Sequence, residues 1–210
     1  MPAKPKYTRE ALLDAALDII RESSIESITA QELGRRLNAS APSVFTHFQS
    51  VEDIRRAAVD AARAKFDHYA EEGLAMTPPF KGFGLECLHF AADEPKLYAL
   101  LFMRPGAENP LMHYVQAEGL LARMIDLLQT GFGVSAENAH WLFSSLVVYT
   151  HGLCCMIACD LVHFTQAQQS ELLGSMFRRL VIGAKAPADD RTGLIPQKDA
   201  ALPEKPEGYV

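Results

Sequence analysis

The chain has 210 residues, 49% of them hydrophobic and 22% charged, with a formal net charge of −6. That composition supplies enough apolar material for a sizeable core, as one domain or two small ones. The four cysteines, three of them (Cys154, Cys155 and Cys159) within six residues, exclude a disulfide framework; with no secretory signal pattern ahead of them, a reducing cytoplasm is expected.

Hardly any segment alternates with period two, and helical spacing recurs between punctuating residues, so the expected fold class is all-α. A first helix opens at Thr8 as its cap and turns Leu12, Ala16, Ile19 and Ile20 to one face. Residues 28–48 predict two short helices joined by a tight turn. Thr29 caps the first, near 30–37, whose inward stripe is Ala30, Leu33 and Leu37. Asn38 stands where the chain must reverse, a place for a left-handed residue, and Asn is the best non-glycine choice. Ser40 is a second cap, and Pro42 falls in the first turn of the helix it opens, where a missing N–H costs nothing. Val44 and Phe48 turn inward; Ala41, Pro42, Ser43, Phe45, Thr46 and His47 stay outside. This is a helix-turn-helix, a motif whose second helix enters the major groove of duplex DNA.

A fourth helix is predicted over 51–72, broken from Gly73 to Pro79, and a fifth over 80–93 with Phe83, Cys87, Phe90 and Ala91 on one face. Pro95 opens a short sixth that stops before Arg104-Pro105-Gly106. Asn109-Pro110 starts a seventh reaching Thr130. Ser135 caps an eighth to His163, and Thr165 a ninth to Ala184 with a stripe of Leu173, Met176, Phe177 and Leu180. After Lys185, Pro187, Pro196, Pro203 and Pro206 among charges and small residues read as an irregular tail. The expected architecture is about nine helices: a three-helix head over 1–50, a linking helix and body over 51–185, and a tail over 186–210. Residues 141–159 carry no formal charge and approach membrane-spanning length. Ser144, Ser145, Thr150, His151 and Gly152 interrupt them and the flanks are Glu137 and Asp160, so a helix buried within a soluble dimer is expected, with no membrane partner.

The stretch Ser40-Ala41-Pro42-Ser43-Val44-Phe45-Thr46-His47-Phe48, followed by Ser50 and Glu52, resembles the signature of the TetR family of bacterial transcriptional repressors. That signature reads Ser, two variable residues, Thr or Ser, an aliphatic residue, Tyr, any residue, His and Phe, then Ser-Lys-Glu. The resemblance is strong over residues 8–55. This chain departs from it at Phe45, where the family has Tyr, and at Val51, where it has Lys; both usual residues contact phosphates. Each lost phosphate contact shallows the salt dependence of binding by about one unit of slope. Lys4, Lys6 and Arg9 on the N-terminal arm, and Arg55 and Arg56 further on, are candidate substitutes. Two weaker landmarks, Glu94-Pro95-Lys96-Leu97-Tyr98-Ala99-Leu100-Leu101-Phe102 and Tyr149-Thr150-His151-Gly152, are similar to one class of TetR C-terminal domain with an aromatic-x-His-Gly element. The resemblance implies a body that dimerises through its last two helices, here the eighth and ninth, and holds an internal effector pocket.

Ala41, Pro42, Ser43 and His47 are therefore expected at base edges or the thymine methyl, His47 alternatively at a phosphate. Thr29, Gln31 and Phe45 are expected against the sugar-phosphate backbone, with Ser40 completing the DNA-binding set. Residues 1–70 carry 10 Lys and Arg against 10 Asp and Glu, so the head is neutral and its non-specific affinity modest. In the body, Phe90, Phe102, Met103, Trp141, Tyr149 and Met156, with His89, His113 and His151 as polar anchors, suit an apolar cavity for a hydrophobic or aromatic effector, against the alternative of core packing. His151, Cys155, Cys159 and His163 form a ladder spaced by four. Each such step drifts about 40° around the helix, so the outer pair cannot join the middle pair on one metal. No metal site, cofactor or catalytic set is assigned: glycine-rich phosphate loops, nucleophile elbows and dinucleotide fingerprints are missing from the sequence. The expected function is a cytoplasmic, homodimeric DNA-binding repressor on a near-palindromic operator, released by a small hydrophobic or aromatic molecule. The rival is a helical ligand-binding or protein-interaction module with weak or lost DNA binding, for which Phe45, Val51 and the neutral head speak.

Overall fold

The computed structural model describes residues 7–104 and 120–185. Among these, eight α-helices and two 3-10 elements occur with no strand, so the chain is all-α. Helix α1 (Arg9–Glu22) is capped by Thr8, whose hydroxyl accepts from the Ala11 N–H at 3.2 Å, and it buries Leu12, Ala15, Ala16, Leu17, Ile19 and Ile20. A 3-10 turn over Ile25–Ser27 follows and buries Ile25. Three residues are too few for periodicity to reveal, and the sequence reading missed it.

Helix α2 (Ala30–Arg36) starts where Thr29 Oγ1 accepts from the Glu32 N–H at 3.1 Å. Leu33 is fully buried, whereas Ala30 and Leu37 are half-buried. At the reversal Asn38 has φ +48°, the left-handed conformation expected of it. The turn closes against Gly34, where a Cβ would lie 2.8 Å from Ala39 O and 3.3 Å from Ala41 N. Any larger residue there would force the turn open.

Helix α3 (Val51–Ala75) is capped by Ser50, whose Oγ accepts from the Asp53 N–H at 3.1 Å; α4 (Pro79–Asp93) and α5 (Pro95–Phe102) each begin with proline in the first turn. The break expected at Gly73 does not occur, and α3 runs on to Ala75. Gly73 is instead where α3 crosses α4. A Cβ on Gly73 would sit 2.6 Å from Gly82 O, and one on Gly82 only 2.2 Å from Gly73 O. The glycines allow backbone to meet backbone, so their role is packing rather than termination.

The chain divides into two compact units, residues 1–107 with 152–171, and residues 108–151 with 172–210. In the first, α3 packs most extensively on α4. Its core holds an aromatic cluster in which Phe66 meets Phe90 and Phe102 edge-on at 5.3 and 5.0 Å, while Tyr98 packs on Phe102 at 5.0 Å. The second unit contains α6 (Leu120–Phe132) and the neighbouring parts of α7 (Ala136–Ala158) and α8 (Gln166–Lys185). There Phe132 stacks edge-on against Phe177 at 4.9 Å, and Asn138 Nδ2 donates to Ala184 O at 2.7 Å.

The start of the predicted seventh helix, at Asn109, and the tail from residue 186 lie outside the described residues. Helix α7 ends at Ala158 rather than at His163. Asp160 takes φ +58°, and the Leu161 N–H reaches back to Met156 O at 2.9 Å, the hydrogen bond of a left-handed C-cap. Helix α8 begins with a reciprocal cap in which Thr165 Oγ1 accepts from the Gln168 N–H and Gln168 Oε1 from the Thr165 N–H. Among the described helices α7 is long and apolar enough to cross a bilayer, with a mean hydropathy of 1.5 over its most apolar window, a third of which is buried.

Candidate nucleic-acid interface

The second element of the helix-turn-helix is a 3-10 helix, Ala41–Thr46, rather than the α-helix the spacing predicted. Ser43 N–H bonds to Ser40 O at 3.0 Å, three residues back. The Ser43 hydroxyl donates to the same carbonyl and the Thr46 hydroxyl donates to Ser43 O. Side-chain hydroxyls thus compete for the carbonyls an α-helix would engage, and six residues give too few bonds to resist. Ser40 occupies the capping position, but its side chain caps no N–H. That part of the sequence reading was incorrect: the tight pitch closes the first turn through the Ser40 carbonyl instead.

Val44 is fully buried and Phe48 nearly so, which fixes which side faces out. Ser40, Pro42, Phe45 and Thr46 are exposed, Ala41, Ser43 and His47 are half-exposed, and Thr29 and Gln31 are exposed at the start of α2. Phe45 is 40% exposed, unusual for a phenyl ring with nothing to cover it. His47 lies with Nε2 3.0 Å from Tyr7 O. Since a carbonyl only accepts, the Nε2–H donates, and the ring anchors Tyr7, the residue before the α1 cap. Arg9 adds a second tie, its guanidinium 5.0 Å above the Phe48 ring centroid.

Two described cations of the head, Arg35 and Arg36, are shared with its own carboxylates. Arg35 donates twice to Glu32 (2.8 and 2.6 Å), and Arg36 bridges Glu32 at 2.8 Å and Glu22. These guanidiniums, Arg35 foremost, hold the Glu32 carboxyl down at about 2. Arg55 donates to Glu26 O and Ile28 O at 3.0 Å each, and Arg56 pairs with Asp53. Arg55 therefore straps the 25–28 segment to α3. Of the candidate phosphate partners, Arg9 is exposed and lies over the Phe48 ring, while Lys4 and Lys6 lie outside the described residues.

The body residues singled out from sequence fall in both units. Phe90 and Phe102 belong to the aromatic core of the first and already have ring partners. Met103 and Met156, also in that unit, are half-buried. His89 Nδ1 lies 3.0 Å from Oε1 of the buried Glu86. In the second unit Trp141, Tyr149 and His151 are half-buried, and burial pushes the His151 imidazole below its ordinary value. His113 lies outside the described residues. A cleft of about 420 Å³ in the first unit is lined by Ile25, Val59, three acids and the arginines 55, 56 and 104, unlike the apolar cavity expected.

The cysteine–histidine ladder is dispersed. Cys155 is half-buried with its thiol pushed up by burial, Cys159 is exposed, and His163 faces Asp160 at 3.3 Å. Among the described residues no three His, Cys, Asp or Glu side chains gather as a metal site. Cys87 and Cys154 are buried, and the Cys154 thiol, raised well above its ordinary value by burial, donates to Cys87 O at 3.4 Å.

The cluster the sequence reading missed is ionic. The buried Glu94, between α4 and α5, accepts from Arg21 Nε at 2.8 Å and Nη2 at 2.7 Å and from Lys65 Nζ at 2.9 Å. Arg21 chiefly, then Lys65, holds the Glu94 carboxyl below the usual carboxylate range. Partners 73 and 29 residues away leave no local signal in the sequence.

Residues 12–58 match the family of bacterial regulatory proteins named tetR. Over 166 residues the chain is 25% identical to an uncharacterized HTH-type transcriptional regulator of Mycobacterium tuberculosis, Rv0681, covering 71% of this chain and 70% of that one. It is 23% identical over 146 residues to the HTH-type transcriptional repressor Rv1353c of the same organism, with 68% of this chain matched; the chain spans 54% of that relative's length. The crystal structure of a TetR-like transcriptional regulator from Rhodococcus sp. RHA1 shares the fold at a TM-score of 0.60 and 15% identity, over 87% of this chain and 99% of the other.

Proposed function

We propose that the chain, whose residues 12–58 match the tetR family of bacterial regulatory proteins, acts as a cytoplasmic homodimeric repressor that reads a near-palindromic operator with one Ala41–Thr46 helix per subunit. The observation that carries this reading is the outer face of that helix: small, polar or apolar side chains stand exposed while Val44 beneath them is fully buried. Such a face fits a groove without bulky obstruction. Ala41, Pro42, Ser43 and His47 are the residues for base edges. Thr29, Gln31, Ser40 and Phe45 flank them at backbone height, the phenyl ring of Phe45 lying against sugar where the family's tyrosine would bond a phosphate.

The subunits pair through α7 and α8. Helix α7 leaves two thirds of its apolar window unburied, Val148 is 52% exposed and Ile182 on α8 is 72% exposed, apolar surface that a second copy would cover. The head over 1–50 then serves binding, and the body over 51–185 serves pairing and effector capture, the candidate effector residues being Phe90, Phe102, Met103 and Met156 in the first unit and, separately, Trp141, Tyr149 and His151 in the second, with His113 outside the described residues. A small hydrophobic or aromatic molecule held there favours a head spacing unfit for the operator, and α3, joining head to body, is the lever.

The test is a low-salt gel shift with the duplex upstream of the protein's own gene. Wild type is expected to give a discrete, competitor-resistant complex. Pro42→Glu places a carboxylate in the helix's first turn, where the helix end tolerates it but phosphates do not. Like-charge juxtaposition costs several kcal/mol, so binding should weaken by about 100-fold or more. Sequence-blind retention by both proteins would instead support a ligand-binding module that no longer reads DNA.

A further inference from the structure

We infer that Glu94 is a positioning residue for operator reading, fixing the pitch of the head on the α4–α5 corner through Arg21. The side chain is 10% exposed and its two oxygens take three charge-assisted bonds, two from Arg21 on α1 and one from Lys65 midway along α3. Arg21 also holds Asp18 at 2.7 Å, one turn back on its own helix. The next residue of α1, Glu22, receives Arg36 of α2, which also bonds to Glu32. Two sets of ion pairs, joined by the α1 backbone between the adjacent residues Arg21 and Glu22, thus link the α4–α5 corner to α1 and α1 to α2, and α2 packs directly on the Ala41–Thr46 helix.

Glu94 is well placed to transmit because its backbone belongs to both body helices. Its N–H closes α4 on Phe90 O at 2.8 Å, and its carbonyl receives the Tyr98 N–H of α5 at 2.9 Å. A shift of either helix moves the carboxylate, and the bidentate grip of Arg21 passes that shift to α1. A single monodentate contact would swivel; two parallel bonds fix direction as well as distance. The pairs in this line are partly screened by solvent, so their value lies in geometry more than in stability.

This inference rests on the operator-reading function proposed above, and its test separates the two. A random-sequence duplex pool is selected on wild type, Glu94→Gln, Arg21→Gln and the double variant, and the recovered half-site letters and spacer lengths are compared. Wild type is expected to return two half-sites at one spacing. Either single variant should return the same letters with the spacing spread over several lengths, and bind the wild-type duplex about 10-fold more weakly. The double variant should be no worse than either single, as expected of groups acting as one unit. In the absence of DNA, amide exchange of α1 and α2 should quicken in both single variants while that of the buried α4 stays unchanged. A wild-type spacing with wild-type exchange in both singles overturns the inference, as does additivity in the double variant. Failure of wild type to select any motif sinks the operator reading instead, and the exchange measurement still decides whether the clasp fixes the head. Arg21→Gln, at a partly exposed site, carries the test should Glu94→Gln fold poorly.

Discussion

Replacing Gly82 by alanine is expected to destabilise the protein by about 3 kcal/mol or more, at the top of the range for overpacked cores. The new methyl would stand 2.2 Å from Gly73 O and 2.6 Å from Met76 Cβ. Neither a carbonyl locked in a helix nor the Cβ of the capping residue Met76 can rotate away, so α3 and α4 must separate by an ångström or more along their most extensive contact. A chain of this size loses about 2–4 °C of Tm per kcal/mol, so thermal unfolding should fall by roughly 10 °C. Gly73→Ala, at 2.6 Å from the partner carbonyl, should behave alike. Alanine at Gly131, where a Cβ meets nothing within 4 Å, is the control expected to cost nothing. A Gly82→Ala melt within 2 °C of wild type would show that the two helices do not meet backbone to backbone.

Truncating Phe66 to alanine should cost a further large amount, about 3–5 kcal/mol. The ring is 2% exposed and is the one that Phe90 and Phe102 share, so its removal leaves a hole whose walls are rigid aromatics unable to collapse into it. Edge-on ring pairs add about 0.5–1.5 kcal/mol each beyond area burial, and two vanish together. Phe66→Leu keeps most of the volume and should recover more than half the loss. Equal melting of the alanine and leucine variants would contradict a cavity-dominated cost. Because Phe90 and Phe102 were also candidates for effector contact, the alanine variant shows how far their placement depends on this core.

The features legible in the sequence were those written locally. Thr8 and Thr29 each sit beside the N–H they cap, and the reversal at Asn38 follows from one residue's tolerance of positive φ. The inward direction of Val44 follows from spacing alone. What escaped depended on partners distant in the chain or on close energetic competition. Gly73 reads as a terminator until Gly82 is known to lie against it. The 3-10 pitch over Ala41–Thr46 is decided by two hydroxyls competing with backbone N–H groups for carbonyls, a contest that apolar periodicity does not register. Glu94 looks like the polar residue before a helix-starting proline, and only folding brings Arg21 and Lys65 to it. The effector residues were the least legible, since any half-buried aromatic suits both a pocket and a core.

The sharing of Arg35 and Arg36 among the carboxylates of their own head has a consequence for how such a regulator finds its target. Duplex of any sequence attracts a protein through cations left over for phosphates, and a bacterial chromosome offers about a million or more decoy sites. A head that ties two of its guanidiniums to its own carboxylates is held more weakly by those decoys, so a few copies per cell stay available to the operator. Sheared genomic DNA should accordingly compete poorly for the protein, and strong competition at modest excess would contradict this.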